Sequence, residues 1–249
     1  MAIIPIVLHR VVKNNQRLCF EDVELSVFDQ ILSYCSNKCI PLNGEFASFK
    51  EHVEKNKYIL TFDDGYSSDY DFVLDRLISN NCHATFFIIA DKLNEKGYLS
   101  LNQLKEMASL GMMIGSHSFS HPEMPNIHLN KQHHELVASR SLLEDAIGYP
   151  VKSFSFPYGK YNKRLIEMAV GAGYDRICTS KHGVISDSTV EIPRNSINGT
   201  MSWPAIERSL KADALIRISW AVEDLGKQSL KTVLGDQGYK FVRNFLGKK

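Results

Sequence analysis

The chain has 249 residues, 44% of them hydrophobic and 23% charged, with 29 basic side chains against 28 acidic ones. These globular proportions exclude a disordered chain, and the net charge of +1 gives no global attraction to nucleic acid or to an anionic membrane. The five cysteines (Cys19, Cys35, Cys39, Cys82, Cys178) form no C-x-x-C pair, so they read as free thiols of a reducing compartment. The start of the chain has no basic region or small-residue cleavage site, and no run approaches the roughly 18 apolar residues of a membrane span. The expectation is a cytoplasmic protein.

Apolar periodicity gives the elements in chain order. Ile3–Leu8 reads as a buried strand and Ser26–Cys35 as a helix, with Val27, Phe28, Ile31 and Leu32 on one face. Tyr58–Phe62 is a strand with an abrupt polar end. Asp71–Ile78 reads as a helix, with Ser68 and Asp71 resembling a capping box. His83–Ile89 is a strand. Ser100 with Gln103 caps a helix running to Leu110, and Met112–Gly115 is a short strand. A long helix over Lys131–Ile147 is stopped by Gly148 and Pro150. Val151–Phe156 is a strand, Lys163–Ala172 a helix and Tyr174–Thr179 a strand, with Glu191–Arg194 as one more. Ser202-Trp203-Pro204 starts a helix toward Ile216. This alternation predicts an α/β fold with a mainly parallel sheet or barrel.

No low-complexity linker or repeat divides the chain, so residues 1–224 read as one domain. Residues 225–249 carry six basic residues and one acid. They read as a basic, helical tail, either solvated or in contact with an anionic membrane surface or partner, which would make the protein membrane-peripheral.

Three stretches break the pattern at strand ends, where α/β folds gather their ligands. Thr61-Phe62-Asp63-Asp64-Gly65-Tyr66 sets two carboxylates before a turn. Ser116-His117-Ser118-Phe119-Ser120-His121-Pro122 sets two histidines four apart. Phe154-Ser155-Phe156-Pro157-Tyr158-Gly159 ends a strand in a turn that can aim backbone N–H groups at a ligand. Two imidazoles and one carboxylate make a three-ligand metal site with open positions, and the spare carboxylate can act on the activated water. Zn²⁺ suits these ligands, and Co²⁺ or Ni²⁺ fits the same set.

In this order the motifs resemble the polysaccharide deacetylases, the carbohydrate esterase family 4 or NodB-homology group. The resemblance spans about Ile3 to Arg194 and implies a distorted (β/α) barrel of about seven strands. It implies a metal-dependent hydrolase that removes an N-acyl group, most often acetyl, from an amino sugar or glycan precursor. Asp64, His117 and His121 would bind the metal, Asp63 would be the base and the Tyr158 N–H would line an oxyanion hole. Tyr66, Pro157 and Tyr158 would contact substrate, and Tyr161 and Trp203 are further aromatic candidates for sugar stacking.

Two departures from the family pattern stand out. The usual arginine before the proline–tyrosine turn is missing, with Phe154 and Ser155 in its place; Arg194 is the candidate substitute from a later strand. No histidine follows His182, so the usual C-terminal acid histidine is missing too. Val7-Leu8-His9-Arg10-Val11 instead resembles the permuted poly-β-1,6-N-acetylglucosamine deacetylase subgroup, which nominates His9 as the acid. An inactive carbohydrate-binding relative and an amidase or deformylase acting on a small molecule remain as alternatives.

Overall fold

The computed structural model describes residues 2–16, 18–42, 56–185 and 190–226. The basic tail from 227 onward lies outside the described residues. Eight strands form one sheet in the order β10-β1-β4-β5-β6-β7-β8-β9, and every pairing in it is parallel. They are β1 (Ile3–Leu8), β4 (Lys57–Asp64), β5 (Ala84–Ile88), β6 (Met113–Ser116), β7 (Ser153–Ser155), β8 (Arg176–Cys178), β9 (Glu191–Ile192) and β10 (Asn195–Ser196). A separate two-stranded pair joins β2 (Val11–Val12) to β3 (Val23–Glu24).

The two edge strands belong to one segment. β9 pairs with β8, β10 pairs with β1, and only Pro193 and Arg194 lie between them. A single bent strand therefore serves both edges and curls the sheet into a barrel, which reconciles eight short strands with the expected seven. Closing the sheet also removes the exposed edges that would invite further strand pairing.

Strand alternation sorts the apolar side chains into two clusters. Ile4, Ile6, Leu8, Leu60, Phe62, Phe86, Phe154 and Ile177 pack outward against the helices. Those helices are α1 (Leu25–Cys35), α3 (Leu101–Ser109), α4 (Leu129–Ile147), α5 (Lys163–Gly171) and α6 (Trp203–Lys211), with a short α2 (Asp75–Ser79). On α1 the buried residues are Phe28, Ile31, Leu32 and Cys35, one face at helical spacing. Truncating Phe28 to alanine should cost about 3–5 kcal/mol. Ile3, Ile59, Phe87, Cys178 and Ile192 form the second cluster, inside the barrel. A Cβ at Gly115 would lie 2.5 Å from the Phe87 ring, so this interior position of β6 has room only for glycine.

Two sequence expectations are corrected. Ser68 makes no cap; its hydroxyl is buried, and the chain instead enters α2 through a π-helical turn, Asp69–Leu74. The helix begun at Ser202 does not run to Ile216. It stops where Ala212 adopts a left-handed conformation (φ 47°), and a second helix covers 214–226. That helix passes without a break through position 224. The capping box of Ser100 and Gln103 forms as expected. Among the described residues no helix is long and apolar enough to cross a membrane.

Candidate active site

The carboxyl ends of the strands open on a cleft of about 250 Å³ lined by His9, Asp63, Asp64, His117, His121, Tyr158 and Arg194, among others. Adjacent residues on a strand face opposite ways, so Asp63 and Asp64 would ordinarily part company. Asp63 follows the inward parity of Ile59 and Thr61. Asp64 has a left-handed φ of 80°, which ends the strand and swings its carboxylate back over the mouth. Ser118 (φ 68°), His121 (φ 59°) and Tyr158 (φ 57°) are also left-handed, so backbone strain gathers around this cleft.

The carboxylate of Asp64 lies between the two imidazoles. Its Oδ1 is 3.5 Å from His117 Nε2 and 3.4 Å from His121 Nε2. One ligand atom from each of the three lies within 4.8 Å of the others. The His117 Nδ1–H donates to the Ser155 carbonyl at 2.8 Å, which leaves the Nε2 lone pair facing Asp64. Burial pushes His117 down to about 3 and His121 to about 4, so both rings are neutral donors at physiological pH. Burial pushes Asp64 up to about 6, the mark of a carboxylate short of compensating charge. The Tyr66 hydroxyl hydrogen-bonds it. Two neutral imidazoles and an undercompensated carboxylate converging from three sides fit a divalent cation.

Asp63 has different company. Arg194 Nη1 donates to Oδ1 at 2.6 Å and Nη2 to Oδ2 at 2.7 Å, a two-pronged buried pair. Ser155 Oγ donates to Asp63 Oδ2 at 3.1 Å and accepts from Arg194 Nη2 at 2.7 Å. Thr61 Oγ1 and the Thr179 carbonyl accept further guanidinium bonds, and the cation sits 5.3 Å over the Phe87 ring. Burial alone would raise the Asp63 pKa. The Arg194 charge, with a smaller pull from His117, outweighs burial and holds it well below the usual carboxylate range. The structure thus brings Arg194 to Asp63 from the corner between β9 and β10, and Ser155 stands where the motif arginine is missing.

His9, just past β1, lines the cleft with one ring nitrogen within 4.8 Å of both Asp64 and Glu21 carboxylate oxygens. Tyr158 is 62% exposed in the Pro157–Gly159 turn, and its ring packs 4.5 Å from that of His121. Two residues expected to contact substrate do not line the cleft. Pro157 is buried beneath its turn, and Tyr66 stacks on Tyr98 at 5.3 Å while its hydroxyl holds Asp64. Trp203 lines a separate hollow beside α1, and Tyr161 stacks on Phe156 at 5.4 Å.

Sequence reading missed Glu135 on α4. Its Oε2 accepts from the Phe119 and Ser120 N–H groups at 2.8 and 2.7 Å, and its Oε1 from Ser120 Oγ at 2.6 Å, fixing the loop that joins the two histidines. The signal was present: Gln132, Glu135 and Ser139 are polar, yet they share the buried face of α4 with Leu136 and Leu143. Glu21 and His182 also line the cleft without having been singled out.

The fold and this cluster define an α/β barrel of the curled, parallel type with a carboxylate–imidazole cluster, able to hold a cation, at the carboxyl ends of its strands. The polysaccharide deacetylase family model matches residues 50–177, just over half of the chain, and the protein belongs to that family. A peptidoglycan-N-acetylglucosamine deacetylase of Bacillus cereus is 30% identical over 125 residues, which are 49% of this chain and 43% of that protein. The chain spans less than half the length of the first curated relatives it matches. The deacetylase PplD of Streptococcus pyogenes, solved in complex with acetate, shares the fold with a TM-score of 0.73 at 23% identity, covering 84% of this chain and 98% of that one. IcaB of Ammonifex degensii does so with a TM-score of 0.72 at 18% identity, covering 84% and 97%.

Proposed function

We propose that the chain is a metal-dependent hydrolase that removes the acetyl group from N-acetylated amino sugars of a glycan. The observation that carries this reading is the meeting of two unlike carboxylates at one cleft, Asp64 between two neutral imidazoles and Asp63 locked in its charged form by Arg194. Family membership and the B. cereus relative's name support the amino-sugar substrate.

Asp64, His117 and His121 would hold the cation, which would supply Lewis acidity toward the acetamide carbonyl and lower the pKa of a water toward about 7. Asp63 accepts the proton of the attacking water. Its Arg194 clamp makes it a weak base but keeps it ionised and aimed, which suits a water already acidified. The Tyr158 N–H, in its strained turn, would serve as donor to the developing oxyanion; a donor of this kind is worth about 3–4 kcal/mol. His9 hands a proton to the nitrogen as the C–N bond breaks. The water oxygen leaves in acetate, and the sugar leaves as the free amine.

Acetate release from N-acetylglucosamine oligomers by Zn²⁺-loaded protein tests the reading. Asp63→Asn should keep the metal and lose turnover by about a hundredfold or more. A near-normal rate in that variant would remove Asp63 as the base, and no acetate from the native protein on any such oligomer would remove the activity.

A further inference from the structure

Beyond the groups that handle the acetamide, a histidine–aspartate pair stands in the cleft wall. His182 follows β8 and lines the cleft beside Ser180 and Ser196. One carboxylate holds it twice: Asp224 Oδ2 accepts the His182 backbone N–H at 2.9 Å, and Oδ1 lies 2.9 Å from its Nδ1. Its ring also stacks on Trp220, with centroids 6.0 Å apart and planes 13° from parallel. Trp220 and Asp224, four residues apart on the 214–226 helix, project from one face of it. The flanking backbone is tied as well. The Lys181 carbonyl accepts from Arg194 N–H at 2.8 Å, and Gly183 exchanges two hydrogen bonds with the Asn195 side chain.

This much restraint on one imidazole fixes its orientation before any ligand arrives. A preorganised group spares the entropy of ordering it on binding. With Nδ1–H committed to the Asp224 carboxylate, Nε2 is the ring nitrogen that remains, and in that tautomer it is an acceptor. The groups placed to handle the acetamide come from β1, β4, β6 and β7; the hydrogen bonds of His182 go to Asp224 instead. An acceptor in the same cleft as the exposed ring of Tyr158, on the next strand of the sheet and beside the Ser196 hydroxyl, suits a sugar hydroxyl of a pyranose stacked on that ring.

We infer that His182, oriented by Asp224 and Trp220, is a substrate-binding residue that accepts a hydrogen bond from a hydroxyl of the sugar unit next to the one being deacetylated. It thereby makes the site select oligomers over single sugars. The inference rests on the amino-sugar reading above, and the test separates the two. Zn²⁺-loaded protein is titrated calorimetrically with β-1,4- and β-1,6-linked tetramers of N-acetylglucosamine. Acetate-release kinetics and melting temperature are recorded alongside.

His182→Ala should raise Kd and KM for the bound tetramer about tenfold, the equivalent of one lost hydrogen bond to an ordered acceptor. The loss should sit in KM rather than kcat. His182→Gln, whose amide oxygen is again an acceptor, should recover part of it, and Asp224→Asn should lose less than His182→Ala. Native binding without acetate release sinks the deacetylase reading, and the Kd comparison still decides the role of His182. A tetramer Kd unchanged in His182→Ala overturns the inference; if the melting temperature falls at the same time, His182 is a pin for the helix. A loss confined to kcat, or no binding of either tetramer by the native protein, overturns it too.

Discussion

Arg194 and Asp63 are 131 positions apart in the chain and joined by two hydrogen bonds of 2.6 and 2.7 Å, buried inside the barrel mouth. The pair ties the corner that closes the sheet to the carboxylate at the end of β4, so closure of the barrel and alignment of the site are one structural event. Arg194→Met leaves Asp63 charged and unpaired, which should cost about 3–5 kcal/mol of stability by denaturant unfolding. Arg194→Lys keeps the charge but loses the fork. It should retain more stability than Arg194→Met while deacetylation falls about a hundredfold from misalignment. Equal stability of Arg194→Met and native protein would show that the pair is not what holds the corner.

Cation binding should depend on each member of the triad. Elemental analysis of the native protein should give about one equivalent of divalent metal, which Asp64→Ala and His117→Ala should each abolish. Zn²⁺ at about a hundredfold excess over its Kd should stabilise native protein by about 2.7 kcal/mol and leave His117→Ala unmoved. Metal retained in both variants would place the cation elsewhere.

His117 and His121 should make the metal-free protein lose stability as pH falls from about 6.5 to 4.5, relative to a His117→Gln, His121→Gln double variant. Burial depresses His117 to about 3 and His121 to about 4 from an unfolded value of 6.5. Across that window the unfolded chain binds up to two protons that the folded chain refuses. Asp64 opposes this, since burial lifts it to about 6 from 3.8 and the folded chain then holds one extra proton. Asp69, fully buried and raised well above 3.8, opposes it in the same way, so the two carboxyls offset the histidines in the native protein, and the histidine contribution of up to about 1.4 kcal/mol per unit per proton reads as the difference from the variant. Below 3.8 the depressed carboxyl of Asp63 adds its own loss in the same direction. Denaturant unfolding in the presence of a chelator measures this. The same pH dependence from 4.5 to 6.5 in native protein and double variant would mean that the cluster is not dry.

The parts of the molecule set by local pattern were legible in the sequence. The Ile3–Leu8 strand has the expected bounds, and the Ser100 cap and the Gly148 stop follow from short-range chemistry. The site residues Asp63, Asp64, His117 and His121 were visible because each breaks an apolar pattern at a strand end. What depends on distant pairing was less legible. Nothing near Ile192-Pro193-Arg194 announces that one short segment pairs with both β8 and β1. Glu135 reaches the histidine loop from the buried face of α4, and Asp224 meets His182 across 42 positions. Ser68 misled because its hydroxyl fits a cap by spacing, while the chain there turns with π-helical geometry that spacing does not encode.

Replacing His9 tests the direction of proton flow. His9 lines the cleft near Asp64 and comes from the first strand, opposite in chain order to the usual position of the acid. If it delivers a proton to the departing nitrogen, His9→Gln should keep bound metal and KM while kcat falls about 10²–10⁴-fold. The deficit should depend on the leaving group. An amine needs a proton before it can leave, whereas a phenolate leaves without one, so an aryl acetate should suffer far less than the acetamide. A deficit equal on both substrates points to misplacement of the metal or the acyl group. An unchanged kcat on the acetamide transfers the acid role to another group of the cleft.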